Sequence, residues 1–112
     1  MILNKKDIIR INQEAGEKGN LRNESSLDFT LHAIENKPWL YELSYLLRCL
    51  LVDHCFEDGN KRTALAVAII YMEEHEMEYN KEILLTTLYT IAKKNIINVN
   101  KIMRMLKNAT IN

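Results

Sequence analysis

An unbroken apolar segment in the middle of the chain constrains the fold more than any other feature. Every residue from Ala64 to Met72 is aliphatic, aromatic or methionine, in a stretch with no glycine or proline. A helix that is apolar on every side is normally surrounded by other elements of the protein. The segment is also far too short to span a membrane. We therefore expect a helix from about Asn60 to Glu76 at the centre of a helical bundle.

Helical periodicity extends over most of the remaining sequence, which contains three glycines and one proline. Leu43, Leu46, Leu47, Leu50 and Leu51 show it most clearly, at a spacing close to 3.6 residues. Further helices are predicted for Lys5 to Ala15, from a cap at Ser25 or Ser26 to about Asn36, from Pro38 to Val52, from Asn80 or Lys81, and around Val99 to Leu106. Gly16 to Asn23 is expected to be an exposed loop or a small flap. The sequence thus predicts an all-α orthogonal bundle of about six helices in one domain, residues 1–112.

Charge and cysteine content narrow the functional class. Fifteen basic and fifteen acidic residues give no formal net charge, which argues against direct binding of nucleic acid. Two cysteines are too few for a disulfide framework, and they favour a reducing compartment. The N-terminus becomes charged too early for a signal peptide. We expect a soluble, cytoplasmic protein that does not enter a membrane.

A polar, charged loop, His54 to Thr63, separates two of the predicted apolar helices. Gly59 and Asn60 lead directly into a helix start, where free backbone N–H groups and the helix dipole favour an anion. Two cations in this first turn, Lys61 and Arg62, oppose the dipole unless an anion lies between them and the backbone. The loop is therefore predicted to bind phosphate.

Each residue of the loop also has a purely structural interpretation. His54 could close the preceding helix, Asp58 could be the N-cap of the next one, and the two cations could be solvated. Phe56 is expected to be a core residue that anchors the loop. A P-loop is excluded because the earlier glycine and the preceding strand are missing.

Taken together, the residues of the loop suit phosphoryl or nucleotidyl transfer. His54 would accept the proton of an attacking hydroxyl, and Asp58 would hold Mg²⁺ together with phosphate oxygens of the nucleotide. Backbone amides from Gly59 to Arg62 would surround a phosphate, with Asn60 shaping or donating to that site. The guanidinium of Arg62 would bind phosphate oxygens in a two-pronged geometry that lysine lacks.

The segment HCFEDGNKRTAL, residues 54–65, resembles the signature of the Fic/Doc superfamily, and specifically its Doc (death-on-curing) branch. The Doc loop reads His-x-Phe-x-Asp-Ala/Gly-Asn-Lys-Arg, so the match is contiguous over about ten residues. Looser similarity covers GNLRNESSLDFTLHAIENKP, residues 19–38, before the loop. The resemblance implies a Fic/Doc-like fold, ATP and Mg²⁺ as cofactors, and the roles that follow. His54 is implied as catalytic base, Phe56 as anchor and Asp58 as metal ligand, with phosphate contacts from Asn60 and Arg62.

Two positions separate this chain from Fic enzymes that attach AMP to hydroxyl groups. Those enzymes usually have glycine at the position of Lys61 and a second arginine at the position of Leu65. Both differences are Doc-like. Doc proteins bind the nucleotide in the direction opposite to that in these Fic enzymes and, like protein kinases, transfer its γ-phosphate. A lysine where glycine would leave room offers a physical cause for that reversal.

The resemblance implies a Doc-type toxin that phosphorylates a Ser, Thr or Tyr hydroxyl of a target protein, with a translation factor as the expected target. An antitoxin protein would restrain it, since the self-inhibitory helix motif of Fic proteins is absent. Two alternatives stay open. The same loop could transfer AMP, or the domain could be catalytically degenerate and only bind partners.

Overall fold

Six α-helices follow one another along the computed structural model, which describes residues 2–111. They are α1 (Lys5–Glu14), α2 (Glu24–Ala33), α3 (Trp39–Leu51), α4 (Asn60–Glu74), α5 (Lys81–Lys94) and α6 (Val99–Ala109). In this range no β-strand forms, and the β pairing consists of two isolated antiparallel bridges, Leu21–Phe56 and Tyr79–Thr110. The predicted all-α class and the number of helices are confirmed. No helix between residues 2 and 111 is long and apolar enough to cross a bilayer.

The central helix of the fold is α3, which packs against α2, α4, α5 and α6. The five leucines that predicted this helix are all buried. Its buried surface is completed by small and polar residues, among them Ser44 and Cys49. The periodic stripe of leucines therefore marks the helix around which the others assemble.

The prediction that α4 is the surrounded, central helix is wrong. Its residues divide into two faces that alternate along the helix. One face is buried and consists of Thr63, Ala64, Val67, Ala68, Tyr71 and Met72. The other is only partly covered and carries Leu65, Ala66, Ile69 and Ile70. Because both faces are apolar, hydrophobicity alone does not reveal which one meets the core.

A buried hydrogen bond joins α3 and α4. The Tyr71 hydroxyl on α4 donates to Glu42 Oε1 on α3 at 2.5 Å. Ile2 N–H donates to the same oxygen at 3.3 Å. Burial, and then the bond to the Glu42 carboxylate, raise the pKa of Tyr71 above its ordinary value of 10.0. The tyrosine therefore remains a neutral donor throughout the physiological pH range.

Asparagine side chains cap the N-termini of four of these helices, more than the sequence predicted. Asn23, not Ser25 or Ser26, caps α2, and its side chain accepts from the Ser26 N–H at 3.2 Å. Asn4, Asn80 and Asn98 cap α1, α5 and α6 in the same way. The predicted start at Asn80 or Lys81 is confirmed, whereas α4 ends at Glu74, two residues before Glu76. The side-chain oxygen of asparagine accepts from the N2 or N3 amide as well as that of serine does. The sequence alone therefore does not show which of several neighbouring residues is the N-cap.

Candidate active site

The loop between α3 and α4 is joined to the segment between α1 and α2 by backbone pairing. Arg22 N–H donates to the Cys55 carbonyl at 2.7 Å, and Glu57 N–H donates to the Asn20 carbonyl at 3.0 Å. The isolated bridge between Leu21 and Phe56 lies between these two bonds. Residues 16–23 therefore form a flap fixed to the loop between α3 and α4, which we call the motif loop (residues 52–59). The sequence predicted either an exposed loop or a small flap for residues 16–23, and the structure has the flap.

Phe56 and Asn60 hold the motif loop in shape. The Phe56 side chain is fully buried, as predicted for an anchor. The Asn60 side chain turns back on the loop: its Nδ2 donates to the Phe56 carbonyl at 2.9 Å, and its Oδ1 accepts from the Phe56 N–H at 3.0 Å. Both ends of the amide are thus engaged with the backbone, which favours the loop-shaping role proposed for Asn60.

The start of α4 has backbone amides without a partner in the helix. Gly59 is its N-cap residue, with φ 78° and ψ 17°, and no side chain of the described residues caps the helix. The first helical hydrogen bond runs from Thr63 N–H to the Gly59 carbonyl at 2.9 Å. The amides of Asn60, Lys61 and Arg62 precede that bond and have no acceptor within the helix. Asp58 precedes the cap, so the interpretation of Asp58 as N-cap is wrong.

A cleft of about 470 Å³ lies at this helix start. Its lining contains every residue predicted for the site: His54, Asp58, Gly59, Asn60, Lys61 and Arg62, together with Leu51 and Glu57. The fold thus gathers the predicted base, metal ligand and phosphate contacts around one space.

His54 reaches the cleft from a strained position. Helix α3 ends at Leu51 with Val52 as its C-cap, so the prediction that His54 closes the helix is wrong. His54 is exposed and has φ 51°, in the left-handed region. Asn36, Glu76 and Asn95, which follow α2, α4 and α5, have the same conformation, which is common in the turn that ends a helix. The turn after α3 therefore brings His54 into the lining of the cleft.

Glu17, on the flap, forms an ion pair with Arg62 at the start of α4. The Glu17 side chain also lies close to the Gly59 backbone: a β-carbon placed on Gly59 would come within 2.4 Å of Glu17 Cγ. A carboxylate therefore lies beside the predicted phosphate site and holds its principal side-chain cation. Sequence analysis missed this residue, since nothing in the composition of a glycine-bounded flap indicates which distant cation it meets.

Asn12 is the second residue that sequence analysis missed. It lies on α1, is 1% exposed, and connects three segments. Its Nδ2 donates to the Asp58 carbonyl at 2.9 Å and to Thr63 Oγ1 at 3.1 Å, while its Oδ1 accepts from Gly19 N–H at 2.9 Å. An asparagine on the same helix face as Ile8 and Ile11 was the available signal, because a buried amide needs partners.

The charged side chains of the cleft differ in what they contact. The Lys61 ammonium lies 5.5 Å from the centre of the Tyr89 ring on α5. Asp58 is exposed, and Glu57 beside it lines the same cleft. Across residues 2–111 no group of three or more His, Cys, Asp or Glu side chains could enclose a metal ion. Carboxylate oxygens suit Mg²⁺, but these residues fit an ion that takes its remaining ligands from water and from a bound nucleotide.

Cys49, on α3, and Cys55, in the loop that follows, form a buried thiol pair. A hydrogen bond from the Cys55 thiol lowers the pKa of Cys49, and the same bond, together with burial, raises the pKa of Cys55. Ser26 Oγ also contacts Cys49 Sγ, at 3.5 Å. Both cysteines are free, as expected for a chain without a disulfide framework.

Comparison with protein-family models, with curated proteins and with solved structures finds no match to this chain. The motif residues and the cleft that they line are therefore the features from which a function can be inferred.

Proposed function

We propose that this protein is a Mg²⁺-dependent transferase that moves the γ-phosphate of ATP to a hydroxyl group of a target protein. The observation that carries the proposal is the cleft at the uncapped start of α4, lined by His54, Asp58 and Arg62. Phosphoryl transfer needs a group that accepts the proton of the attacking hydroxyl, a ligand for Mg²⁺ and a cation that binds phosphate oxygens. His54, Asp58 and Arg62 are groups of these three kinds.

His54 is the proposed base. A target hydroxyl that enters the cleft attacks the γ-phosphorus, and its proton passes to the imidazole of His54. A new bond forms between the hydroxyl oxygen and the γ-phosphorus, while the bond from that phosphorus to the bridging oxygen breaks. ADP leaves with the electron pair of the broken bond. The exposed position of His54 at the edge of the cleft leaves room for a protein substrate.

The start of α4 is the proposed phosphate site. Amides of the first turn point out of the helix end and favour an anion, and the space that a β-carbon of residue 59 would need is taken by the Glu17 side chain. Arg62 would exchange its contact with Glu17 for phosphate oxygens when the nucleotide binds. Asn60 would maintain the loop through its two bonds to Phe56.

Asp58 is the proposed ligand of Mg²⁺, with Glu57 as a second carboxylate on the same cleft. When bound there, Mg²⁺ supplies positive charge next to the phosphate oxygens. Because the described residues do not enclose an ion by themselves, the metal is expected to bind tightly only together with the nucleotide.

The Doc resemblance extends the proposal from chemistry to biology. It implies a Fic/Doc-like arrangement of the six helices, a toxin role in the cytoplasm, a translation factor as the target, and restraint by an antitoxin protein. Expression in bacterial cells tests the toxin role. The wild-type chain should arrest growth, and His54→Asn at an equal protein level should not. Arrest by both proteins, or by neither, would contradict the proposal.

Transfer of AMP by the same cleft is the alternative chemistry. Labelled ATP distinguishes the two reactions, because AMP transfer brings the α-phosphorus to the target and phosphate transfer brings the γ-phosphorus. A degenerate domain that only binds partners would transfer neither. The Glu17–Arg62 pair is the observation that favours this last alternative, because it occupies the arginine that phosphate needs.

A further inference from the structure

A second depression, the base groove, lies between α4 and α5 beside the proposed phosphate site. It has a volume of about 350 Å³ and is lined by Lys61, Arg62, Leu65, Leu85, Leu88 and Tyr89. Leu85 is 43% exposed and Tyr89 is 53% exposed, so the apolar lining is open to a ligand. Exposed apolar surface bordered by cations is typical of a binding site.

The base groove adjoins the cleft. Lys61 and Arg62 line both, whereas His54 and Asp58 line the cleft alone. Leu65 lies one helical turn after Lys61, about 6 Å along the axis of α4. A ligand with an apolar end and an anionic end could therefore lie along the start of α4 and fill both spaces.

Tyr89 identifies the chemical nature of the apolar end. Two ammonium groups lie near its ring, Lys61 Nζ at 5.5 Å and Lys93 Nζ at 5.7 Å from the centroid. Both lysines are exposed, so each can leave the ring for a phosphate without uncovering buried surface. Proteins bind the flat face of a nucleobase with an exposed aromatic ring and place cations near its phosphates.

We propose that the base groove binds the base of a nucleoside triphosphate whose phosphates occupy the start of α4. This inference rests on the proposed function. The base would pack between Leu65 and Leu85 with Tyr89 as its aromatic wall. Leu65 belongs to this apolar wall, which explains why an arginine at that position would be unfavourable here.

The direction of the nucleotide follows from the placement of its base. With the base between α4 and α5, the phosphate chain runs back past Lys61 toward Asp58 and His54. The γ-phosphate, which is the phosphate farthest from the nucleobase, then lies nearest to His54, the proposed catalytic base. The base groove thus supplies a structural reason for phosphate transfer in preference to AMP transfer.

Calorimetric titration with two ligands, ATP and inorganic tripolyphosphate, each with Mg²⁺, tests this proposal. Tripolyphosphate carries the anionic chain without a base. Tyr89→Ala should weaken ATP binding by about tenfold, the usual effect of losing an aromatic stacking partner, and leave tripolyphosphate binding unchanged. Ile83→Ala, an exposed apolar residue of α5 outside the base groove, should change neither.

The outcomes separate the base groove from the phosphate site. If Tyr89→Ala leaves ATP binding unchanged, or weakens both ligands equally, the base groove is not a nucleobase site and the phosphate site stands. If the wild-type protein binds the two ligands with equal affinity, the base contributes nothing and the inference is also overturned. If the wild-type protein binds neither ligand, the proposed function fails together with the inference.

Discussion

His54 combines an exposed imidazole with a left-handed backbone conformation, φ 51°. Asparagine adopts this conformation more readily than alanine does, and it has no basic nitrogen. His54→Asn should therefore abolish transfer while keeping the midpoint of thermal unfolding unchanged. His54→Ala should also abolish transfer but lose about 1 kcal/mol of stability. Activity assays and thermal unfolding of both variants check this, and transfer retained by His54→Asn would exclude His54 as the base.

Glu17 lies where a nucleotide phosphate is expected, and it pairs with Arg62. The pair is partly solvated, with 61% of the arginine side chain exposed, so its loss should have a modest effect. We expect Glu17→Gln to strengthen binding of ATP by about two- to fivefold, because Arg62 then binds the phosphate without first breaking an ion pair. Isothermal titration at low ionic strength measures this difference.

Glu14→Gln is the matched control for Glu17. It makes the same chemical change on an exposed glutamate at the end of α1, which pairs with Arg10 and not with the cleft. Its affinity for ATP should equal that of the wild type. Weaker binding in Glu17→Gln would mean that the glutamate contributes to the nucleotide site and does not compete with phosphate.

At the scale of the elements, Asn12 joins α1 to the flap, the motif loop and α4. Asn12→Ala should lower the free energy of unfolding by about 2 kcal/mol, since it removes a hydrogen bond to the buried Thr63 hydroxyl and two partly buried ones with the Asp58 carbonyl and the Gly19 N–H. Transfer should fall as well, although Asn12 contacts no phosphate, because Asp58 and Gly59 lose their support. Asn108→Ala, the same change at an exposed position of α6, should have little effect on either quantity. Equal stability of the two variants would contradict this account.

The bond between α3 and α4 predicts a pH dependence of stability. Tyr71 has a pKa raised above 10.0 in the folded protein, mainly by burial and further by Glu42. Above pH 10 the unfolded chain loses the Tyr71 proton while the folded protein retains it, so stability falls as the pH rises. Denaturant unfolding at neutral pH and above pH 10 should show this decline in the wild type and a smaller one in Tyr71→Phe. Tyr89→Phe, at an exposed tyrosine, should retain the full decline.

Tyr71→Phe should also lower the free energy of unfolding by about 1 kcal/mol at neutral pH, because a buried hydrogen bond is lost. The same alkaline decline in Tyr71→Phe as in the wild type would show that other groups cause it.

The helices themselves were predictable because their signals are local. The leucine stripe of α3 identified a buried helix, and Asn80 identified the start of α5. The burial of α4 was not predictable, because Leu65 and Val67 are equally apolar while only Val67 reaches the core. Packing against α1, α3 and α5 decides between such faces, and that packing is a property of the tertiary structure.

For the molecule as a whole, the sequence predicted the contents of the site but not its surroundings. Residues from His54 to Arg62 are contiguous, so a short motif could reveal them, and the fold places them around one cleft. Glu17 and Asn12 act on that cleft from about forty-five positions earlier in the chain. A pairing over such a distance depends on how the flap folds onto the motif loop, which no local pattern encodes.

The transfer of labelled phosphorus from ATP tests the central claim most directly. Proteins of a bacterial lysate, freed of nucleotides, would be incubated with Mg²⁺ and with ATP labelled at either the γ- or the α-phosphorus. Parallel reactions would contain the wild-type protein, His54→Asn, or neither, so that kinases of the lysate are subtracted. We predict a discrete protein band that is labelled from the γ-position only with the wild-type protein, and no band labelled from the α-position. Label from the α-position, or identical patterns with the wild type and His54→Asn, would contradict the account.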